Sequence, residues 1–106
     1  EIGRRLGPFD ASLLPVGAYE PRWFMKGAHM NPEEAVRVYE ELGGAGAFVA
    51  MHWGTFQLTD EPALEPPQRT RAAWQQAGLP AADLWILRHG ETRVHEGAGR
   101  RGDWAR

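Results

Sequence analysis

An α/β fold is predicted by three features of this 106-residue chain. Short apolar runs alternate with amphipathic helical segments, one of those segments carries a full set of helix-end signals, and glycines or prolines mark the joints. The apolar runs centre on Ser12–Val16, Ala47–Trp53 and Leu84–Leu87. A helix falls between each successive pair, so the connections are crossovers and parallel pairing is the expected arrangement. Three strands with two or three helices make only part of a layered domain.

Each element has its own local reason. Glu1 to Leu6 reads as the end of a helix that Gly7 stops and Pro8 keeps from continuing. Ser12–Val16 in "ASLLPVGAY" reads as a short strand in which Pro15, lacking a backbone donor, belongs at a sheet edge or strand end. "EPRWFMKGAHM" reads as a loop. "NPEEAVRVYEELGG" is a complete helix signal: Asn31 caps, Pro32 takes the first helical position, Glu34 lies three residues after the cap, and Gly43 with Gly44 ends it. Ala35, Val38, Tyr39 and Leu42 give this helix an apolar stripe.

"AFVAMHW" is nearly continuous in apolar character, the pattern of a strand buried on both faces. "GTFQLTDEPALEPP" then reads as loop. Pro67 opens a third helix through "QRTRAAWQQAG", with Ala73, Trp74 and Ala77 inward and Gly78 with Pro80 as the stop. Leu84–Leu87 is the last strand. Trp23, Trp53, Trp74 and Trp85 are spread through these segments and are expected to pack the core.

Composition narrows the function classes. Twelve basic and 14 acidic side chains give a formal charge of −2, and the arginines are interleaved with glutamates, which argues against a general nucleic-acid surface. There is no cysteine to form a disulfide. The apolar runs are far shorter than the roughly 18 residues a membrane-spanning helix needs, and no signal peptide is visible. A cytoplasmic setting is the expectation, with peripheral membrane contact left open.

Chemistry-bearing residues gather at strand ends. In "LWILRHGET" the apolar run ends at Arg88, His89 and Gly90, which delivers polar side chains to the place where α/β proteins bind ligands. These letters resemble the signature of the histidine phosphatases, in which a histidine after the first strand takes up a phosphoryl group. Here the signature stands near the end of the sequence rather than opening a domain. The tail after it holds Gly97, Gly99, Gly102 and four arginines.

A longer resemblance covers about the first 93 residues. "LLPVGAYEPRWFMKGAHMNPEEAV" and "MHWGTFQLTDEPALEPP", continuing through the third helix to "RHGET", resemble the N-acylphosphatidylethanolamine-hydrolysing phospholipase D group of the metallo-β-lactamase superfamily. The resemblance implies an αββα sandwich with a two-metal site, usually zinc, of which this chain is the C-terminal half. Residues 1–93 would belong to that domain and 94–106 would be a flexible glycine- and arginine-rich tail. The missing N-terminal half of the domain would be the partner and would carry most of the metal ligands.

Site residues follow from the same match. The family's final ligand histidine falls on His52, and His89 matches a histidine outside the metal ligands. Independently, His52 ends a buried run and the chain turns away at Trp53–Thr55, so its imidazole could project into a site, and neutral imidazole is a good zinc ligand. His29 stands on a loop before the cap Asn31, near a helix N-terminus that favours anions; the resemblance places it towards the substrate. Tyr19, Glu20 and Arg22 are weaker candidates. Trp23, Phe24 and Met25 are either core or a greasy patch near a lipid entrance.

The expected parent activity is metal-dependent hydrolysis of a phosphodiester, with an N-acylated phospholipid as substrate. The alternatives are hydrolysis of a soluble phosphodiester or lactone, a non-catalytic fragment that completes the sandwich, and a histidine-phosphatase-like reaction at His89. The four histidines lack a short His-x-His spacing. The isolated chain is therefore expected to hold an incomplete metal site and to be inactive.

Overall fold

The structure, a computed structural model, describes residues 1–96. Its elements are α1 (Ile2–Leu6), β1 (Ala11–Pro15), α2 (Arg22–Met25), α3 (Pro32–Glu41), β2 (Ala47–Met51), α4 (Glu65–Gln76), a 3-10 turn (Ala81–Asp83) and β3 (Leu84–Trp85). The strands form one parallel sheet in the order β1-β2-β3. The α/β alternation and the parallel pairing therefore appear as expected. Of the expected tail, residues 97–106 lie outside the described residues.

Helix α3 forms where its end signals placed it. Asn31 accepts from the Glu34 amide at 2.9 Å while the Glu34 carboxylate accepts from the Asn31 amide at 2.9 Å, so two otherwise orphaned donors satisfy each other's residues. Its buried side is Pro32, Ala35, Val36 and Tyr39, with Val38 and Leu42 partly buried against the same core. Helix α4 begins at Glu65, two residues before Pro67, because prolines 66 and 67 both fit a first turn that needs no intrahelical donors. Its inner side is Pro66, Pro67, Thr70 and Trp74; Ala77, expected inward, is exposed.

Register decides which sheet face is covered. Ser12 pairs with Phe48 and Leu14 with Ala50, and all four are buried beneath the helices. Tyr39, Phe48 and Trp74 meet as an aromatic cluster with ring centroids 4.9 to 5.8 Å apart. The Trp74 indole donates to the Pro80 carbonyl at 2.8 Å and the Tyr39 hydroxyl to the Gly46 carbonyl at 2.8 Å, so neither polar tip is lost to the core. Burying a side chain such as Phe48 stabilises the fold by roughly 1.5–3 kcal/mol.

The opposite face differs from the expectation of a strand buried on both sides. Leu13 pairs with Val49 and Pro15 with Met51; Leu13 is 59% and Met51 43% exposed. At β3 the Arg93 guanidinium lies over the Trp85 ring, 4.9 Å from its centroid, and His95 meets that ring edge-on at 5.5 Å. The tryptophan expectation also needs correction. Trp74 is buried and Trp53 and Trp85 are half-buried, but Trp23 is 85% exposed. It sits on α2, a single helical turn where "EPRWFMKGAHM" predicts a loop, and a turn of four residues is too short to bury a face.

Candidate functional site

The sheet's C-terminal edge is where the chemistry-bearing residues converge. Strand β1 follows β2 to its end, with the Val16 amide donating to the Met51 carbonyl at 3.0 Å. Gly17 then lies so close to β2's exit that a β-carbon on it would collide with the His52 carbonyl oxygen, which makes glycine obligatory there. His52 itself turns left-handed, with φ of 64°, and Ala18 across from it does the same at 62°. Such backbones cost about 1–2 kcal/mol each for residues bearing a β-carbon, so they persist only where the surroundings hold them.

His29 reaches this edge from the other side. Arg22 of α2 donates to the His29 carbonyl at 3.1 Å and to the Glu34 carboxylate at 2.7 Å. Glu34 is the same residue that closes the α3 capping box, so the loop carrying His29 is fastened to the helix N-terminus behind it. The imidazoles of His29 and His52 lie with ring centroids 5.3 Å apart and planes tilted by 33°. Twenty-odd residues apart in sequence, the two expected site histidines thus stand side by side.

His89 occupies a different position. Its Nε2 is 3.2 Å from the Thr55 hydroxyl, its ring meets Trp53 edge-on at 6.1 Å, and a β-carbon on Gly54 would lie 3.1 Å from its Cε1. It therefore backs the turn that follows His52. Arg88 and His89 are exposed, and the Glu91 carboxylate accepts from the Arg88 amide at 2.8 Å.

Beside His52 opens a cavity of about 420 Å³. Trp53, Phe56, Leu58 and Pro62 give it an apolar wall, and His52, Thr59 and Glu61 supply the polar points. Glu61 is only 9% exposed. Its carboxylate accepts from three consecutive backbone amides, Ala18 at 2.8 Å, Tyr19 at 3.2 Å and Glu20 at 2.9 Å, and from the Thr59 hydroxyl at 2.7 Å. Burial works against its ionisation, but the hydrogen bonds from Thr59, Glu20 and Ala18 outweigh it and hold the carboxyl below its ordinary range.

A second polar network lies behind the first. The Tyr19 hydroxyl donates to Glu65 at 2.6 Å and Arg69 stacks 4.7 Å over the Tyr19 ring while pairing with Glu33 and Glu65. Burial, followed by the hydrogen bond to Glu65, pushes the Tyr19 phenol well above its usual range. The hydrogen bonds that Arg69 donates to the Glu33 carboxylate come first among the effects that keep it charged. Tyr19 is thus a buried strut, and Arg22 a fastening for His29; Trp23 and Phe24 stay at the surface, 85% and 70% exposed.

Metal-holding capacity can be tested on the residues present. Among the described residues no group of three or more histidine, cysteine, aspartate or glutamate side chains could hold a metal ion. A zinc centre needs about four donors, one of which is left to water in a catalytic site. His29 and His52 alone do not make one.

A short parallel sheet backed by helices, with a histidine at the exit of a strand, is the α/β arrangement in which ligands bind at the strands' C-terminal ends. Residues 1–53, half the chain, match the family model described as the beta-lactamase superfamily domain, and the chain belongs to that family. Its relatives sharpen this. It is 50% identical over 72 residues to N-acyl-phosphatidylethanolamine-hydrolyzing phospholipase D 1 of Caenorhabditis elegans, covering 67% of this chain and 20% of that protein. Over 68 residues it is 40% identical to the mitochondrial N-acyl-phosphatidylethanolamine-hydrolyzing phospholipase D of Saccharomyces cerevisiae, covering 64% of this chain and 14% of that protein. An uncharacterized protein of Mycobacterium tuberculosis is 49% identical over 75 residues, covering 69% of this chain and 20% of its own length. The chain therefore spans about a fifth or less of the length of these relatives.

Among the described residues no helix is long and apolar enough to cross a membrane.

Proposed function

We propose that this chain is the C-terminal portion of a metal-dependent phosphodiesterase of the N-acylphosphatidylethanolamine-hydrolysing phospholipase D group. His52 is one of its metal ligands and His29 a substrate contact. The observation that carries this is the approach of the two imidazoles at the sheet's C-terminal edge, 5.3 Å between ring centroids, with an apolar cavity beside them. The relatives whose names state an activity hydrolyse N-acyl-phosphatidylethanolamine, and they are five to seven times longer than the matched stretch, which leaves room for the remaining ligands.

The division of labour follows from the chain's own residues. Divalent metals, when bound in such a site, make a hydroxide available near neutral pH and offset charge on phosphoryl oxygens. This chain holds the His52 imidazole at the strand exit through the turn at Trp53–Thr55. It presents His29, whose imidazole can donate a hydrogen bond to an anionic or ester oxygen, on a loop tied down by Arg22. The apolar wall of Phe56 and Leu58 suits an acyl chain better than a sugar or nucleotide. A soluble phosphodiester or lactone remains the alternative substrate class, and completion of the sandwich by the bare sheet face is this chain's structural share in either case. Phosphoryl transfer at His89 is disfavoured by its contact with Thr55 and its place behind the Trp53–Gly54 turn.

The test is made in the full-length protein. His52→Ala should lose bound metal and lower kcat by more than the roughly 10- to 100-fold typical of residues that only support a ligand. His29→Ala should keep its metal and raise KM. Full metal content with near-normal turnover in His52→Ala would remove the ligand assignment.

A further inference from the structure

We propose that Glu61 is a positioning residue for His52: its buried carboxylate fills the backbone nest of Ala18, Tyr19 and Glu20 and thereby locks the two loops between which His52 is held. The inference rests on the reading of His52 as a site residue and extends it to a group that neither sequence pattern nor spacing marked.

Three consecutive amides can point at one acceptor only if the chain between them curls, and Ala18's left-handed φ of 62° provides the curl. Without an anion that concavity would leave buried donors unpaired. Glu61 satisfies it from 43 residues away in sequence, with Oε2 accepting from Ala18 and Thr59, and Oε1 from Tyr19 and Glu20. The Asp60 amide adds a second tie by donating to the Glu20 carbonyl at 3.1 Å. The nest is continuous with Gly17, and Gly17 abuts the His52 carbonyl. Glu61, Ala18 and His52 also line one cavity. Any loosening of the nest is therefore passed through Gly17 to the left-handed backbone of His52.

Charge is part of the design, because all four acceptor directions of the carboxylate face donors. In Glu61→Gln one oxygen becomes an NH₂ group, set against either Ala18 and Thr59 or Tyr19 and Glu20. The Thr59 hydroxyl can rotate to accept, whereas the amides cannot. The isosteric change keeps the volume and breaks the nest.

The experiment follows the His52 ring by two-bond ¹H–¹⁵N correlations in the full-length protein, with His52→Ala for assignment, alongside zinc affinity by competition with a chelator. In Glu61→Gln the amide signals of Ala18 and Glu20 and the ring signals of His52 should shift, and zinc affinity should fall about 10-fold or more. Tyr39→Phe, which removes a buried hydrogen bond at the far end of β2, is the control for lost stability alone and should move neither. A folded Glu61→Gln protein whose His52 signals and zinc affinity match the wild type overturns the proposal. Should Glu61→Gln fail to fold, Thr59→Val removes one of the four bonds, and unchanged His52 signals there overturn it equally. Wild-type His52 signals that ignore zinc would sink the metal reading, while the shift in Glu61→Gln would still decide the positioning role.

Discussion

His52 and Glu61 show how differently two neighbouring site residues can be read. A histidine closing an apolar run is visible in the letters "MHWGTF", and its position at a strand exit follows from them. Glu61 sits in a stretch rich in turn formers and carries no periodic signal, since its partners are amides 41 to 43 residues away. Only the fold brings them together. A pH prediction follows. The Glu61 carboxyl is held below its ordinary range in the folded chain, so its stabilising effect is fully present above the unfolded carboxylate value of about 4.3 and is lost as pH falls through the lower folded value. Glu61→Gln should therefore be less stable than wild type at neutral pH, with the gap narrowing in acid. Urea midpoints at the two ends of this range check it; a gap that stays constant would mean that another carboxylate controls the acid limb. His89, in contrast, is predicted to stay unmodified when the protein is incubated with a small phosphomonoester, because it is engaged with Thr55. Phosphohistidine found there by mass spectrometry, and absent in His89→Ala, would revive the phosphatase reading.

Among the elements, α3 was legible to the residue because its signals are local: the cap, the proline and the glutamate three positions on act within one turn. Helix α2 was not, since four residues show no period, and β3 shrank from four expected residues to two because pairing with β2 extends only over Phe48 and Val49. The double burial expected of "AFVAMHW" holds at Ala47, Phe48 and Ala50 and gives out towards Met51, which is 43% exposed. Continuous apolar character records what a face could bury, and within the described residues the cover over the face carrying Val49 and Met51 is incomplete. The α3 cap also does more than end a helix, because Glu34 accepts from Arg22 as well as from the Asn31 amide. Asn31→Ala should lower stability by about 1 kcal/mol, the usual loss for a cap of this kind. Glu34→Gln should in addition loosen Arg22 and raise the mobility of the His29 loop. Hydrogen exchange at the His29 amide, which donates to the Met25 carbonyl at 2.9 Å, reads this directly; protection equal in both variants would show that the cap and the loop are independent.

For the molecule as a whole, the decisive feature is the sheet face turned away from the helices. Leu13, Val49 and Met51 lie on it in register, and Leu13 and Met51 are 59% and 43% exposed, on a strand pair whose other face is fully packed. A parallel sheet is normally covered on both sides, and the matched stretch accounts for 20% of the length of the Caenorhabditis elegans relative. If this chain completes a sandwich, Leu13 is a core residue in the full-length protein despite its exposure here. Leu13→Ala should then cost about 2–5 kcal/mol, the range for a buried leucine. Leu14, 9% exposed on the helix-covered face, supplies the internal standard. Denaturant unfolding of the full-length protein should give Leu13→Ala and Leu14→Ala similar losses. A near-zero loss at Leu13 beside a large one at Leu14 would mean that this face stays open in the complete protein, and the sandwich reading would fail even if His52 binds metal.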